Sequence, residues 1–496
     1  MIVGRYVNDQ FDRQQFIPIG NGLKTPIRLR KRARPERVKN GQLVSVEVQR
    51  DFNGIVTSMD KIRENFGNFS DKGMPQTLAM VNNLIRSGWN EEINKEILEF
   101  EIREGIESIG VRRDLRSYPF ITIDGKDAKD FDDAVYAEKT TEGYLLFVAI
   151  ADVSFYVKSG SSIDREAFER GNSVYFSQSV VPMLPEKLSN DLCSLLPNED
   201  RLVLVVSLQV DNFGSMKAVQ FSEGVINSKR RFTYDEVQSI YDEESKQLDV
   251  IEGVIESLFN LKEIYHSLSN ARSARNALNI DGPEIRYKFN KDSRLKSIQL
   301  APRLDSQKVI EECMIAANVA AADFCGESQM LYRHHPRPDH DKLEELRQEA
   351  KKIGLKTNES IDGAVSICND ILKFGEKRKE RLLLESMVMR SQKLASYSSS
   401  EKSHFGLALP YYTHFTSPIR RYSDLIVHRL IKEKIQNPLY KNDGGLNVES
   451  VAIQCSSCER RAEEATREEM AYLKCEFMSR HVGDTFRAIV VSVFDL

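Results

Sequence analysis

Apolar and polar residues alternate with a period of two through residues 1–60. The alternating runs are short, and turns rich in Gly, Asn and Asp separate them. Short strands in succession are typical of a small β-barrel, and we predict an OB-like barrel here. The predicted strands are Ile2–Tyr6, Gln15–Ile19, Thr25–Arg30, Leu43–Gln49 and Gly54–Ser58.

The period changes to that of a helix through residues 61–110. A Ser87-Gly88 break divides this stretch into two apolar stripes. Residues three and four positions apart share one face of a helix, so we predict a helical connector. The stripes are Met80-Val81-Leu84-Ile85 and Ile93-Ile97-Leu98.

Residues 111–480 mix both periods, and the mixture predicts an α+β domain. Strand-like runs are Ser117–Ile123, Leu145–Ile150, Leu202–Val210 and Ala218–Ile226. Helix-like runs are Tyr234–Ile240, Val250–Ala271, Lys308–Phe324, Lys342–Ile353, Glu380–Leu394, Ser423–Lys434 and Ala452–Ser479. The helix Lys308–Phe324 carries a continuous apolar stripe, so we expect it to be buried.

The composition is that of a globular protein with a sizeable core, because 41% of the 496 residues are hydrophobic and 29% are charged. The net charge of -4 provides no global basic field, so contact with nucleic acid would need local basic patches. Seven scattered cysteines indicate reduced thiols and a cytoplasmic protein. Cys455 and Cys458 have zinc-ligand spacing, but no second ligand pair is near them in sequence. We find no secretory signal and no membrane-spanning run, and expect no membrane partner.

The candidate chemistry lies between two strand-like runs, where five aspartates fall within ten residues. The flanking apolar runs predict a loop close to a core. Carboxylates this close repel one another, and burial disfavours their charged forms. A divalent cation relieves both effects, because hard cations take carboxylate oxygens as ligands. The aspartates are Asp124, Asp127, Asp130, Asp132 and Asp133.

Three interpretations of this acidic loop compete. It is a solvated surface loop, a calcium-binding loop, or an Mg²⁺ or Mn²⁺ site for chemistry at phosphorus. Calcium fits badly, because Gly125 follows Asp124 directly and Lys126 takes the next ligand position. Displacement at phosphorus fits better, because it needs a group of carboxylates with a metal and little else from the protein.

Two basic segments are candidates for phosphate contacts. In the first, Lys24–Lys39, eight basic residues accompany one acidic residue, Glu36. It is either a solvated hairpin or a phosphate-contacting patch. In the second, Pro418 favours a helix start and Arg420 and Arg421 follow it. Arginine presents a planar fork of donors that matches phosphate oxygens, although a structural pair with a carboxylate is the alternative.

Several motifs, in order, resemble the signature of the ribonuclease II / ribonuclease R exoribonucleases. The resemblance covers roughly residues 111–480, and the pairs Tyr175-Phe176 and Arg420-Arg421 favour the ribonuclease R branch. The motifs are Thr122-Ile123-Asp124, Asp130-Phe131-Asp132-Asp133-Ala134, Val148-Ala149-Ile150-Ala151-Asp152-Val153, Val181-Pro182-Met183-Leu184-Pro185, Leu188-Ser189, Leu192-Cys193-Ser194-Leu195 and His414-Phe415-Thr416-Ser417-Pro418-Ile419-Arg420-Arg421-Tyr422.

The resemblance implies a domain order. It makes residues 1–60 a cold-shock-like RNA-binding barrel, 61–110 a connector, and 111–480 a catalytic domain of the ribonuclease II type. Residues 481–496 resemble the first strand of an S1-like barrel, and the far N-terminal region and most of the S1 domain are expected to be missing. One strand cannot close a barrel, so we expect 482–496 to form no module of its own.

The resemblance also implies roles for individual residues. Asp124, Asp130, Asp132 and Asp133 would hold one or two Mg²⁺ ions, with Mn²⁺ as an alternative. Asp130, Asp132 and Arg420 would be catalytic, with Arg420 on the scissile phosphate. Contacts to RNA are implied for Tyr175, Tyr234, Arg333, Arg420 and Arg421.

Tyr175 has two interpretations. By its sequence context alone it is a core aromatic residue, whereas the resemblance implies that it stacks on the base at the 3′ end of the RNA. Family members pair this tyrosine with a phenylalanine, but Ile280 occupies the matching position here. This departure weakens the expected clamp on the base.

The resemblance implies an enzyme: a monomeric, processive 3′→5′ exoribonuclease that hydrolyses RNA to 5′-nucleoside monophosphates in mRNA catabolism. Its substrates would be single-stranded RNA and structured RNA with a 3′ overhang. Two alternatives stay open. One is an endonuclease or DNA-directed nuclease that uses the same acids, and the other is an RNA-binding protein of the same fold with weak or no cleavage.

Overall fold

The computed structural model describes residues 2–8, 14–19, 27–28, 38–50, 56–102, 112–242, 253–326, 330–355, 364–376, 378, 380–436, 447–488 and 490. These residues form a small antiparallel sheet, a helical connector, and a larger mixed sheet packed against helices. The fold is α+β, as predicted. None of the helices in these ranges contains a stretch long and apolar enough to span a bilayer.

The first sheet has five antiparallel strands in the order β3-β2-β1-β4-β5. Ile2 and Tyr6 share one face with Val44 and pack against Phe16, because alternate residues of paired strands point to the same side. This arrangement is consistent with the predicted OB-like domain. The strands are β1 (Ile2–Asn8), β2 (Gln14–Pro18), β3 (Ile27–Arg28), β4 (Leu43–Arg50) and β5 (Val56–Gly67).

The fifth strand is longer than predicted. It pairs with β4 as far as Gly67, so residues 61–67 belong to the sheet and not to the helical connector. Lys61 and Arg63 are exposed, and such charged positions on a solvated face hid the strand pattern in the sequence. Most of the basic segment Lys24–Lys39 lies outside the described residues, and so does the phosphate-contacting patch predicted there.

The connector contains the two predicted helices, α1 (Met74–Asn82) and α2 (Glu91–Ile102). The first ends earlier than its apolar stripe suggested, because Leu84 is exposed and adopts a φ of 54°. The connector leads from the small sheet to the larger one.

The larger sheet has seven strands in the order β14-β7-β8-β9-β12-β13-β6. Its central strands β9 and β12 are almost continuously apolar, because both of their faces are covered. The strand β7 pairs in parallel with β14 and antiparallel with β8. Strands β6 to β14 are Arg113–Asp114, Ile121–Asp124, Asp133–Thr140, Gly143–Ala151, Val174–Tyr175, Val180–Val181, Asp200–Val210, Met216–Asn227 and Arg230–Thr233.

Helices pack on the faces of this sheet, and further helices lie beside it. The helix α7 is buried against the sheet, as its apolar stripe predicted. Helices α3 to α12 are Val153–Tyr156, Ser162–Arg170, Tyr234–Tyr241, Val254–Ala274, Asp305–Cys325, His340–Lys352, Ala364–Gly375, Arg381–Ser391, Tyr422–Gln436 and Val448–Ser479. Strands β15 to β18 are Glu284–Phe289, Leu295–Ala301, Tyr332–His334 and Ser396–Ser398.

Two parts of the chain lie at the margins of this arrangement. The helices α8, α9 and α10 pack around a small apolar cluster of their own, which includes Leu346, Ile371 and Leu384. Residues 482–488, which resemble a strand of an S1-like barrel, form neither strand nor helix, and residues 491–496 lie outside the described residues.

Candidate active site

The acidic loop follows β7, as predicted, but it ends at β8, which begins at Asp133 and had not been predicted; the next predicted strand, Leu145–Ile150, is β9. Ser194 fixes the part of the loop before Asp132. The Phe131 N–H donates to Ser194 Oγ at 3.0 Å, and Ser194 Oγ donates to the Lys129 carbonyl at 2.7 Å. Because Ser194 is fully buried, these bonds are shielded from water. They fix the turn that carries Asp130 and Asp132.

Arg231 fixes the start of the same loop, at Gly125 and Lys126. It lies on β14, next to β7, and its guanidinium donates to the Gly125 and Lys126 carbonyls at 2.6 and 2.8 Å. The guanidinium also lies 5.4 Å from the centre of the Phe131 ring. Sequence reasoning missed this residue, although the basic run 229–231 at the start of a strand was a usable signal.

Asp132 is the point where two distant loops meet. Only 4% of this residue is exposed, and its Oδ1 accepts a hydrogen bond of 2.8 Å from the Ile419 N–H, 287 residues away in sequence. Its Oδ2 lies 3.4 Å from Arg420 Nε and has no hydrogen-bond partner among the described residues. Burial raises the pKa of Asp132 well above its usual value, and Arg420 and the Ile419 N–H oppose this effect.

Asp124 and Asp133 stand at the two ends of the loop and share the same electrostatic environment. Burial, and then the charge of Asp130, raises the pKa of Asp124 to about 6. Burial, and then the charge of Asp124, raises the pKa of Asp133 to about 8. The Oδ2 atom of Asp124 is buried and has no hydrogen-bond partner in the described part of the chain. A cation bound here would stabilise the charged forms of these groups.

The chemistry of these donors suits a hard divalent cation. The site offers carboxylate oxygens, two of them buried without partners, in surroundings that penalise their negative charge. Across the described ranges, however, no three His, Cys, Asp or Glu side chains surround one point at metal-ligand spacing. Coordination by Asp124, Asp130, Asp132 and Asp133 therefore stays a prediction.

Arg420 lies beside these carboxylates on the loop that leads into α11, and 40% of its side chain is exposed. Its Nη2 donates to Ser417 Oγ at 2.9 Å. Its backbone carbonyl accepts a hydrogen bond of 3.0 Å from the Ser173 N–H, and the Tyr422 N–H donates to the Gly171 carbonyl at 2.9 Å. The guanidinium is thus held by Ser417 while part of it stays exposed to solvent, and such a group can bind an anionic ligand.

Tyr175 is two residues after Ser173, whose N–H donates to the Arg420 carbonyl. The segment that carries Tyr175 is therefore bonded to the loop that carries Arg420. The Tyr175 hydroxyl donates to Asp130 Oδ2 at 2.5 Å, while 43% of the residue is exposed. Burial of the hydroxyl, and then the charge of Asp130, raises the pKa of Tyr175, which keeps the hydroxyl protonated as a donor. The exposed ring contradicts the core interpretation and leaves a face on which a base could stack.

Tyr234 is the first residue of α5 and directly follows β14, where Thr233 lies opposite Asp124 of β7. Thr233 and Glu236 form a capping box that fixes this helix start. Burial, and then the charges of Asp124 and Asp133, raises the pKa of Tyr234, so the tyrosine lies close to the carboxylates. The site thus has one aromatic residue bonded to Asp130 and another close to Asp124 and Asp133.

The remaining two predicted RNA contacts, Arg421 and Arg333, are engaged within the protein. Arg421 donates from Nε and Nη2 to the buried Asp424 carboxylate at 2.9 and 2.7 Å. Arg333 donates to Glu459 at 2.6 Å and lies 4.8 Å from the centre of the Tyr397 ring. These contacts support the arginine loop and α12, and a contact between either residue and RNA stays a prediction.

Two other sequence features have a structural explanation. Ile280 packs against the apolar cluster of α8–α10. Cys455 and Cys458 lie on α12 as buried free thiols, and nothing among the described residues adds a second ligand pair for zinc.

Comparison with known proteins identifies the family. Residues 112–437 match the RNB domain. Ribonuclease R of Vibrio parahaemolyticus is 38% identical to this chain over 467 residues, which are 91% of this chain and 56% of that protein. The chain therefore spans little more than half the length of this relative.

Solved structures agree with the sequence comparison. Mycoplasma genitalium RNase R in complex with double-stranded RNA matches with a TM-score of 0.90 and 26% identity, covering 99% of this chain and 88% of that chain. The same protein in complex with ribose-methylated single-stranded RNA matches with a TM-score of 0.88 and 26% identity, covering 97% and 76%. With the RNB domain over most of its length and ribonuclease R among its relatives, the chain belongs to the ribonuclease II / ribonuclease R family of exoribonucleases.

Proposed function

We propose that this chain degrades RNA processively from the 3′ end by hydrolysis to 5′-nucleoside monophosphates. The observation that carries the proposal is the meeting of two loops at Asp132, where the Ile419 N–H bonds one carboxylate oxygen and Arg420 lies 3.4 Å from the other. Clustered carboxylates beside an available arginine are the groups that metal-assisted hydrolysis of a phosphodiester needs.

We assign different roles in this reaction to the aspartates and to Arg420. Asp124, Asp130, Asp132 and Asp133 would hold Mg²⁺, with Mn²⁺ as an alternative, and the cation would activate water and offset charge on the phosphate. Arg420 would donate to the non-bridging oxygens of the scissile phosphate, and its bond to Ser417 keeps the guanidinium in place. The Ile419 N–H keeps the Asp132 carboxylate in one orientation.

The aromatic residues would hold the end of the strand. Tyr175 would stack on the base at the 3′ end, and its bond to Asp130 would fix that base relative to the carboxylates. Tyr234 would contact the substrate as well. Stacking is tolerant of base identity, because every base has a flat aromatic face, and this tolerance suits an enzyme that degrades many RNAs.

The RNA complexes of the Mycoplasma genitalium relative support RNA as the substrate class. We extend this to single-stranded RNA and structured RNA with a 3′ overhang, degraded by a monomer in cytoplasmic mRNA catabolism. The N-terminal sheet would serve as a cold-shock-like RNA-binding domain.

The experiment that tests the function uses a single-stranded RNA labelled at its 5′ end, with Mg²⁺, and resolves products by length over time. Release of mononucleotides, with the label passing from full-length RNA to a short end product without populated intermediates, would support a processive 3′→5′ exonuclease. Internal fragments would mean an endonuclease, and binding without cleavage would mean the RNA-binding alternative. A DNA strand of the same sequence is the matched control, and equal rates on both would contradict the exoribonuclease proposal.

A further inference from the structure

The hairpin formed by β15 and β16 is strongly basic although the whole chain carries a net charge of -4. Its sequence from 284 to 301 contains five basic residues and two acidic ones. Arg294 pairs with Glu476 at 3.3 Å, whereas the other four cations form no ion pair within the described parts of the chain. Those four are Arg286, Lys288, Lys291 and Lys296.

The register of the hairpin sorts its side chains onto two faces. Ile285 lies opposite Leu300 and Tyr287 opposite Ile298, so these residues form an apolar face. Arg286 lies opposite Gln299 and Lys288 opposite Ser297 on the other side of the strands. We call this second side the basic face, and it consists of Glu284, Arg286, Lys288, Ser297 and Gln299.

The base of the hairpin adjoins Tyr234. The Gln307 side-chain amide lies 3.5 Å from the Glu284 carboxylate, and the hydroxyl of its neighbour Ser306 donates to the Tyr234 carbonyl at 2.8 Å. Because Glu284 belongs to the basic face and its charge contributes to the raised pKa of Tyr234, that face begins near Tyr234.

The tip of the hairpin adjoins the segment that carries Tyr175. The Gln178 side-chain amide donates to the Ser293 carbonyl at 3.1 Å. On the apolar face, Lys474 of α12 lies 5.4 Å from the centre of the Tyr287 ring, so α12 approaches that face at Tyr287, whereas Ile285, Ile298 and Leu300 are exposed. Both faces are thus largely open to solvent, and the basic face lies along a hairpin whose base adjoins Tyr234 and whose tip contacts Gln178, three residues after Tyr175.

We propose that the basic face binds the phosphate backbone of a single RNA strand whose 3′ end lies at the aspartates, an inference that rests on the proposed function for its choice of RNA. Arg286 and Lys288 are two residues apart on one strand, or about 7 Å, so they can reach different phosphates. Ser297 and Gln299 add neutral donors beside them. Such contacts position a strand without reading its sequence.

Charge complementarity favours RNA over a protein as the occupant. Cations without carboxylate partners, on an exposed strand beside a site for phosphodiesters, match a polyanion. Each phosphate contact releases condensed counterions, so it contributes about 0.7 to the slope of log affinity against log salt for a single strand. The proposal therefore predicts a measurable change in salt dependence.

The test compares Lys288→Ala with Lys139→Ala in the full chain. Lys139 is also exposed on a strand. It lies towards the far end of β8, six residues along the strand from Asp133, which is about 20 Å from the acids. Affinity for a long fluorescent single-stranded RNA is measured without divalent cations at several salt concentrations. We expect Lys288→Ala to weaken binding and to lower the salt slope by about 0.7, and the double variant with Arg286→Ala to lower it by about 1.4. Lys139→Ala should match the wild type.

A short RNA that reaches only the aspartates and Tyr175 is the second measurement. All variants should bind it as the wild type does, because Arg286 and Lys288 lie in the middle of the hairpin, beyond the two ends that adjoin the site. If Lys288→Ala binds long RNA with the affinity and slope of Lys139→Ala, the basic face is not an RNA surface. These readouts need no cleavage: a wild type that never releases nucleotides would refute the proposed function, and a loss of salt slope in Lys288→Ala would still support the hairpin surface.

Discussion

Replacing Asp133 with asparagine should make the metal-free protein more stable at alkaline pH. The pKa of Asp133 is raised to about 8 in the folded chain, against an ordinary value of 3.8 for an aspartate side chain. Between these values the folded state binds more protons than the unfolded state, so the stability from this group is full below the lower value and is lost as the pH rises to about 8. Asparagine stays neutral throughout and avoids this loss.

The magnitude follows from the pH interval. Four histidines, His335, His404, His414 and His428, have pKa values that burial lowers, and they act with the opposite sign, but only below their ordinary pKa of 6.5. Between pH 6.5 and 8 the change due to Asp133 is at most about 2 kcal/mol, at about 1.4 kcal/mol per pH unit. The carboxylate keeps some exposure to water, so the measured value should lie below this limit.

The assay is urea unfolding in a chelator, followed by the fluorescence of the single tryptophan, Trp89. This ring lies 3.8 Å from the Arg170 guanidinium and packs on the core of the larger sheet, so it reports on the catalytic unit. The stability difference between Asp133→Asn and wild type should grow from pH 6.5 to pH 8. Added Mg²⁺ should then stabilise the wild type more than the variant. A difference independent of pH, or equal stabilisation by Mg²⁺, would refute the reasoning.

Three substitutions test other parts of the site. Asp132→Asn should abolish nucleotide release with RNA affinity nearly unchanged, because the shape and the Ile419 bond persist; wild-type release would contradict the assignment. Tyr175→Ala should lengthen the shortest product, since stacking contributes about 1–3 kcal/mol per base, whereas Tyr175→Phe should not; unchanged product lengths in the alanine variant would argue against stacking. Arg231→Met should lower the single-turnover rate at saturating RNA, because it removes the hydrogen bonds to two loop carbonyls, and Arg231→Lys should recover part of that rate. Equal rates in the wild type and both variants would show that the loop keeps its structure without Arg231.

The parts of the fold that the sequence predicted are those with strong local periodicity. The helix predicted at Ala452–Ser479 is α12, which extends by one turn to Val448, and the strand predicted at Leu202–Val210 is β12. Such long periodic segments are set by their own residues and their burial. The acidic loop was also predicted, because five carboxylates between two apolar runs leave few structural alternatives.

The features that escaped prediction depend on partners distant in sequence. The strand β5 continues to Gly67 because β4 pairs with it. The helix α9, by contrast, was missed although Ile367, Cys368, Ile371 and Leu372 recur at helical spacing. Arg231 reaches the acidic loop only because β14 pairs in parallel with β7, more than one hundred residues earlier. Arg421 could be assigned to phosphate or to a carboxylate by its sequence, and only the fold brings Asp424 under its guanidinium.

The acidic loop contains the groups for chemistry but few of the contacts that hold them. Its fixed points come from Ser194, from Arg231 and from the Ile419 N–H, each on a different segment. Those contacts hold buried carboxylates together against their mutual repulsion and without partners for two of their oxygens. Such an arrangement destabilises the folded chain and persists only where the surrounding structure enforces it. The rate of cleavage should therefore respond to residues that carry no catalytic group, because they maintain the spacing on which cation and phosphate binding depend.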